Sequence, residues 1–292
     1  MHSYVFSFLS LKIKFFFIIK TITIYIYLLR KMNKIFLTLL ISILTLPTQA
    51  LARIDIVPQK IIIDPRDRNS EFTILNLFNT TGKFRVDIVS YKQDKNGIYK
   101  KMEAPLDVTF DPKKIVRFSP RQFEIAPNGR QKIRLSIRKP GDLSDGEYRF
   151  HIKAVRFADS NSNEENTVNL SMNMGVTIPV VVRHGKIFNK SKLTNASYIP
   201  PQQSNKNRPE VHLEIERNGN ISSIGSLDVY QKEQGQEKKI GTITNANVFT
   251  EINKRYFQIP LTEQPNNNSN LIVRYSDGKK KGITFDEITI QP

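Results

Sequence analysis

Histidines and carboxylates are the side chains of this sequence that would serve an enzyme or a metal site best. His151, His184 and His212 lie far apart and lack the i, i+4 spacing of a helical zinc motif. The segment from Gly141 to Gly146 approaches a phosphate loop, but Glu147 follows it where such a loop requires lysine. No motif places two carboxylates to act as a catalytic pair. The sequence therefore predicts a protein that is not an enzyme, with no catalytic residues, no metal and no cofactor.

One segment, from Thr167 to Arg183, has a pattern that indicates binding. Its second half, from Val176 to Val182, is almost continuously apolar, and Pro179 within it is typical of a sheet edge because it cannot donate a ladder hydrogen bond. An edge strand with alternating apolar side chains is a template for another chain, and methionines make such a surface adaptable. The same periodicity also fits an ordinary strand that adds four side chains to its own core. The alternating apolar residues of the first half are Val168, Leu170, Met172 and Met174.

Two stripes of basic side chains are expected on neighbouring strands. No aromatic residues interleave with them, and no nucleic-acid motif accompanies them, so nucleic acid is not an expected partner. We interpret the stripes as a solvated face or as a surface for an acidic protein. Period-2 geometry places Arg130, Lys132, Arg134 and Arg138 on one face of the first strand, and Arg149, His151 and Lys153 on one face of the next.

The first 52 residues contain six of the 44 basic side chains and none of the 27 acidic ones. The basic segment Met32-Asn33-Lys34 precedes an apolar run from Ile35 to Leu46, and Ala50-Leu51-Ala52 fits a signal peptidase. We therefore predict an upstream extension over 1–31 and a signal peptide over 32–52, cleaved after Ala52. The alternative is a start at Met1 with a membrane-anchored form. A cleaved leader predicts export without stable membrane insertion.

Removal of this leader leaves 240 residues, which fits two domains better than one. The chain contains no cysteine, so packing alone must stabilise them. Short β-rich runs between turn residues predict an all-β fold, with a first domain over 53–184, a second over 185–292 and a polar stretch from Asn195 to Pro209. The predicted strands are 54–64, 71–78, 83–91, 115–118, 130–138, 147–157, 167–183, 210–217, 226–231, 255–260, 271–275 and 282–290.

Several segments, in this order and spacing, resemble periplasmic pilus-assembly chaperones of the chaperone-usher type, the PapD-like family. The resemblance covers nearly the whole chain after the leader and indicates a divergent branch. It is carried by Val57-Pro58-Gln59-Lys60-Ile61-Ile62-Ile63, Phe118-Ser119-Pro120-Arg121-Gln122-Phe123, Pro127-Asn128-Gly129, Ile133-Arg134-Leu135, Gly146-Glu147-Tyr148-Arg149 and Ile178-Pro179-Val180-Val181-Val182-Arg183-His184-Gly185, and less specifically by Arg217-Asn218-Gly219-Asn220 and Val248-Phe249-Thr250-Glu251.

The resemblance implies two immunoglobulin-like β-sandwich domains in an L-shaped arrangement. It also implies donor-strand complementation, in which the last strand of the first domain is lent to a pilus subunit that lacks one strand. An internal arginine and glutamate pair of the family falls on Arg134 and Glu147. The residues that match the donor strand are Val168, Leu170, Met172, Met174 and Val176.

The family holds the carboxylate at the subunit's C-terminus with two basic residues. The first matches Lys60 in this sequence. The second, a lysine, falls on Pro179, which has no charge, so Arg183 or Lys153 becomes a substitute candidate. This departure from the family pattern predicts altered anchoring.

The implied function is that of a periplasmic chaperone in fimbrium biogenesis, with secreted pilin-like subunits and an outer-membrane usher as partners. Self-association in the absence of a subunit is left open. The alternative is a structural or adhesive β-sandwich protein of the cell surface, such as a fibre subunit.

Overall fold

The computed structural model describes residues 53–107, 109–157, 172–204, 206–233, 235–266, 269–278 and 282–292. Strands dominate these residues, and the predicted fold class is confirmed: the chain is all-β, with two β-sandwiches. Within the described residues, no helix is long and apolar enough to cross a membrane. The signal-peptide prediction lies outside the described residues.

Two sheets build the first sandwich. One has the order β1-β3-β8-β6; the other has the order β2-β10-β9-β4-β5, with β7 also paired to β4. The strands are β1 (Ile54–Val57), β2 (Ile61–Ile63), β3 (Asn69–Asn76), β4 (Gly82–Gln93), β5 (Tyr99–Met102), β6 (Val116–Ser119), β7 (Gln122–Ile125), β8 (Arg130–Ile137), β9 (Gly146–Arg156) and β10 (Met174–His184), with the short helix α1 (Pro112–Ile115) before β6.

The second sandwich pairs its strands in the orders β11-β12-β15 and β14-β13-β16-β17. A short 3-10 helix, Pro201–Gln203, follows its first strand. The strands are β11 (Asn189–Ile199), β12 (Glu210–Gly219), β13 (Ser223–Glu233), β14 (Gln236–Val248), β15 (Lys254–Pro260), β16 (Leu271–Ser276) and β17 (Thr284–Ile290).

Each sandwich has its own hydrophobic core. The first contains buried residues from Ile54 to Val182, and the second contains buried residues from Leu193 to Tyr275. The alternation in β8 shows how the sequence directs this: Ile133 and Leu135 are buried, whereas Lys132 and Arg134 between and beside them face solvent. The predicted domain boundary at residue 184 falls between these two cores and stays a prediction.

Several predicted elements differ in the structure. The single strand predicted over 54–64 is two strands in different sheets, because Pro58 lacks an N–H group and does not continue the ladder. The polar stretch that was expected to begin at Asn195 is strand up to Ile199, since a β-bulge with Asn195 at φ 51° keeps β11 paired with β12. The sequence patterns also missed β5, β7, β11 and β14.

The pairing of β10 decides what the sheet can offer to another chain. Along its whole length from Met174 to His184 it pairs antiparallel with β9. On its other side it pairs parallel with β2, but only over Val180–Val182. Among the described residues, Met174 to Pro179 therefore have a strand on one side alone.

Candidate functional site

The exposure of the predicted donor residues falls steadily along the chain. Met172 is 66% exposed, Met174 is 40% exposed, and Val176 is half-buried against the first core. Strand alternation places Met174 and Val176 on the same face as the buried Ile178. The apolar face of β10 thus continues past the end of its own core. Val168 and Leu170 lie outside the described residues.

The backbone of this segment is as important as its side chains. Between Met174 and Pro179 the ladder to β9 uses one side of the strand, and the other side has no partner strand among the described residues. Pro179 lies opposite His151, at the last position before the parallel pairing with β2 begins. Its position agrees with the preference of proline for edges, because it leaves no ladder donor unpaired. An open edge and an exposed apolar face therefore occur together.

Two of the carboxylate-anchor candidates, Lys60 and Arg183, have different surroundings. Lys60 lies between β1 and β2, and its Nζ is 3.4 Å from Asn245 Oδ1 in the second sandwich. Arg183 has its Nε 3.3 Å from Glu147 Oε2 and its Nη1 3.4 Å from Asp64 Oδ1. An additional carboxylate at Arg183 would compete with two carboxylates of the protein itself. The carboxylate-anchor role of Lys60 and Arg183 stays a prediction.

The ion pair expected between Arg134 and Glu147 is wrong for this chain. Glu147 pairs with Arg183, which lies directly opposite it in the ladder between β9 and β10. It also accepts a hydrogen bond from Ser222 Oγ of the second sandwich. Arg134 is on β8 in the other sheet and points to solvent. The different sheets separate the two side chains, which a motif alignment does not show.

One of the two basic stripes is buried, contrary to the solvated face that the sequence predicted. Arg149 and His151 are buried, whereas Lys153 is half-buried. Arg149 forms an ion pair with Glu251, and its guanidinium carbon lies 3.8 Å from the ring centre of Phe249. The other stripe, on and just after β8, is exposed as expected: Arg130, Lys132, Arg134 and Arg138.

Burial shifts the pKa values of Arg149 and His151. It lowers the pKa of the Arg149 guanidinium, and the Glu251 carboxylate opposes that shift. Burial, with a smaller contribution from the positive Arg149, lowers the pKa of His151 to about 3. Arg149 Nη1 lies 3.2 Å from His151 Nε2. Because a guanidinium only donates, Nε2 accepts this hydrogen bond, and the neutral imidazole carries its proton on Nδ1.

Glu251 connects the two sandwiches and was not a predicted site residue. Its Oε1 accepts from the Gln93 backbone N–H at 2.9 Å as well as from Arg149. The Gln93 side chain donates to Asn247 Oδ1 at 2.9 Å. The only sequence signal was the motif Val248-Phe249-Thr250-Glu251, which the resemblance included without assigning it a contact. The described residues contain no cluster of three or more metal-ligating side chains.

The described residues form two sandwiches, with an open edge on β10 from Met174 to Pro179. Several solved structures are similar to this chain. No protein-family model and no curated protein matches the sequence. The class 5 fimbriae chaperone CfaA is 14% identical, with 82% of this chain and 100% of that chain covered and a TM-score of 0.43. The complex of the chaperone CsuC with the tip subunit CsuE, from archaic chaperone-usher pili of Acinetobacter baumannii, is 15% identical. The match covers 82% of this chain and 98% of that chain, with a TM-score of 0.42. The E. coli chaperone DraB is 11% identical, with 82% of this chain and 96% of that chain covered and a TM-score of 0.41.

Proposed function

We propose that this chain is a periplasmic chaperone that caps secreted, pilin-like subunits by donor-strand complementation and delivers them to an outer-membrane usher for assembly. The observation that carries the proposal is the open edge of β10 from Met174 to Pro179 next to the exposed side chains of Met172 and Met174. The sequence motifs that resemble chaperone-usher chaperones support it. Cleavage after Ala52 would bring the chain to the periplasm.

The open edge and its side chains would contribute in different ways. Full burial of a methionine side chain by a client contributes about 1.5 to 3 kcal/mol before the cost of association. Each backbone hydrogen bond adds about 0.5 to 1.5 kcal/mol and does not depend on the client's sequence. Selectivity therefore comes from the apolar side chains, with Met172 and Met174 at the described end of the row that includes Val168 and Leu170.

The first sandwich fills its own core and still leaves Met172 and Met174 exposed. Ile178, Val180 and Val182 of β10 belong to that core, so the strand is anchored at its C-terminal end. A fibre subunit that needs a donated strand would have a core open to such a strand. The open edge of β10 from Met174 to Pro179 supports the chaperone over the fibre subunit.

Co-expression with a pilin-like chain encoded beside this gene tests the proposal. Met172→Asp combined with Met174→Asp should lower the amount of co-purified subunit by at least about tenfold, because two carboxylates would enter an apolar groove. Phe188→Asp is the matched control, since Phe188 is 62% exposed and lies just before β11. Equal subunit yields with the double variant and the control would contradict the proposal.

A further inference from the structure

A cavity of about 270 Å³ lies next to the open edge of β10, and we call it the tyrosine pocket. Its residues come from four neighbouring strands of one sheet. Thr177 and Pro179 alternate along β10 with Ile178, which points into the first core, so the pocket is on the opposite face of the sheet. The pocket is lined by Tyr91, Tyr99, His151, Thr177 and Pro179.

Three of the five residues that line the tyrosine pocket are aromatic. The ring of His151 meets the ring of Tyr91 at a centroid distance of 5.1 Å and 78°, and the ring of Tyr99 at 5.9 Å and 86°. Tyr99 is 43% exposed, which is unusual for a ring that packs against two others. Edge-to-face arrangements of this kind are those that aromatic rings prefer, so a further ring would find suitable partners here.

The position of the pocket relative to the open edge determines what reaches it. In a strand that pairs with β10, the residues opposite Thr177 and Pro179 point to the same face as these two side chains. Their Cβ atoms would lie about 4.5 to 5.5 Å from those of β10. The edge is open at this point among the described residues. One side chain of an added strand would therefore enter the pocket.

Charge near the pocket restricts that side chain further. The Arg149 guanidinium carbon lies 5.9 Å from the Tyr99 ring centre, and Lys153 lies opposite Thr177 in the ladder. The ammonium group of Lys153 disfavours a lysine or arginine at this position. Glu251 already neutralises Arg149, so the pocket does not require a carboxylate.

From this geometry we infer that the tyrosine pocket receives one aromatic side chain of the client strand that pairs with Met174–Pro179. The inference rests on the proposed function and adds a rule for client choice. A chain that binds well carries an aromatic residue at the position opposite Thr177 or Pro179. This side chain lies on the other face of the sheet from the row of donor residues, so the two contacts select clients independently.

Phenol is a suitable probe of the pocket because it carries one aromatic ring, and cyclohexanol is its matched control without one. We expect phenol to give saturable NMR shifts of the His151 and Tyr99 ring signals, with a Kd of about 1 to 10 mM. Tyr99→Leu should weaken phenol binding about two- to tenfold, since it removes an aromatic partner. Thr177→Phe should abolish it by filling the cavity. Tyr256→Leu, which removes a similarly exposed tyrosine of the second sandwich, should leave it unchanged.

The same titration on the complex with a co-expressed pilin-like chain separates this inference from the proposed function. Binding of phenol to the free protein and its loss in the complex would support the inference. Absence of saturable shifts, cyclohexanol shifts equal to those of phenol, or phenol binding that persists in the complex would overturn it and leave donor-strand binding intact. If no complex forms at all, the proposed function fails, and the inference fails with it.

Discussion

At the scale of single residues, His151 shows how burial fixes a charge. It lies between Arg149 and the rings of Tyr91 and Tyr99, and its pKa is lowered to about 3. In the unfolded chain a histidine has a pKa of about 6.5. Between about pH 3 and pH 6.5 the histidine is therefore protonated in the unfolded chain and neutral in the folded chain. The histidine therefore makes stability rise with pH in this window.

The first prediction concerns this pH dependence. Between pH 7 and pH 5 the wild-type protein should lose about 2 kcal/mol of unfolding free energy through His151, at about 1.4 kcal/mol per pH unit below 6.5. His151→Phe should lack this contribution. Urea unfolding of both proteins at pH 7 and pH 5 measures the difference. An identical pH dependence for the variant would show that His151 takes up a proton while the protein stays folded.

The second prediction concerns the buried pair of Arg149 and Glu251. Glu251→Leu leaves the guanidinium buried without its carboxylate, so we expect a loss of about 3 to 5 kcal/mol in urea unfolding. The double variant Arg149→Met with Glu251→Leu should be less destabilised than Glu251→Leu alone, because no uncompensated charge remains. Single effects that simply add in the double variant would contradict a direct pair.

At the scale of elements, β10 has two parts with different neighbours. Val180–Val182 lie between β9 and β2, whereas Met174 to Pro179 pair with β9 alone among the described residues. Both parts are continuous in sequence and share a face. The strand is thus anchored in the sandwich at one end and available for pairing at the other, which is the arrangement that donation requires.

Hydrogen exchange measures this difference. Amides of Val180–Val182 should exchange more slowly than those of Met174 to Ile178, because ladder bonds occupy both sides of the strand only in the first group. Addition of a client should slow exchange in the second group and leave the first nearly unchanged. Equal protection of both groups in the free protein would mean that the edge is already covered.

At the scale of the whole molecule, the sequence predicted the sandwiches better than their contacts. The alternation in β8 and the turn residues between strands were sufficient for an all-β fold. The strand β14 was missed because its residues up to Lys239 are polar and exposed, and its ladder with β13 contains bulges. Pairing with β13, rather than a pattern of apolar residues in its own sequence, makes this segment a strand.

The same limit applies to the candidate site. The alternation of the methionines with polar residues and the missing N–H group of Pro179 were enough to predict an exposed apolar row and a sheet edge. The ion pair of Arg149 with Glu251 could not be predicted from a local pattern, because Glu251 is 102 residues away and belongs to the second sandwich. The ladder position of Glu147 opposite Arg183 likewise depends on strand register, which one sequence does not determine. Local patterns predicted the strand, and tertiary contacts decided its surroundings.

The most direct test of donation is the pattern of protection along the strand. The chain has no cysteine, so single cysteines at positions 172, 173 and 174 each provide one thiol for alkylation. In the free protein the thiols at positions 172 and 174 should react readily, because Met172 and Met174 are exposed. In the complex with a pilin-like chain, alkylation at these two positions should slow by at least about tenfold, and at position 173 much less, because alternate side chains enter the client. Equal slowing at all three positions, or none at positions 172 and 174, would contradict donor-strand binding.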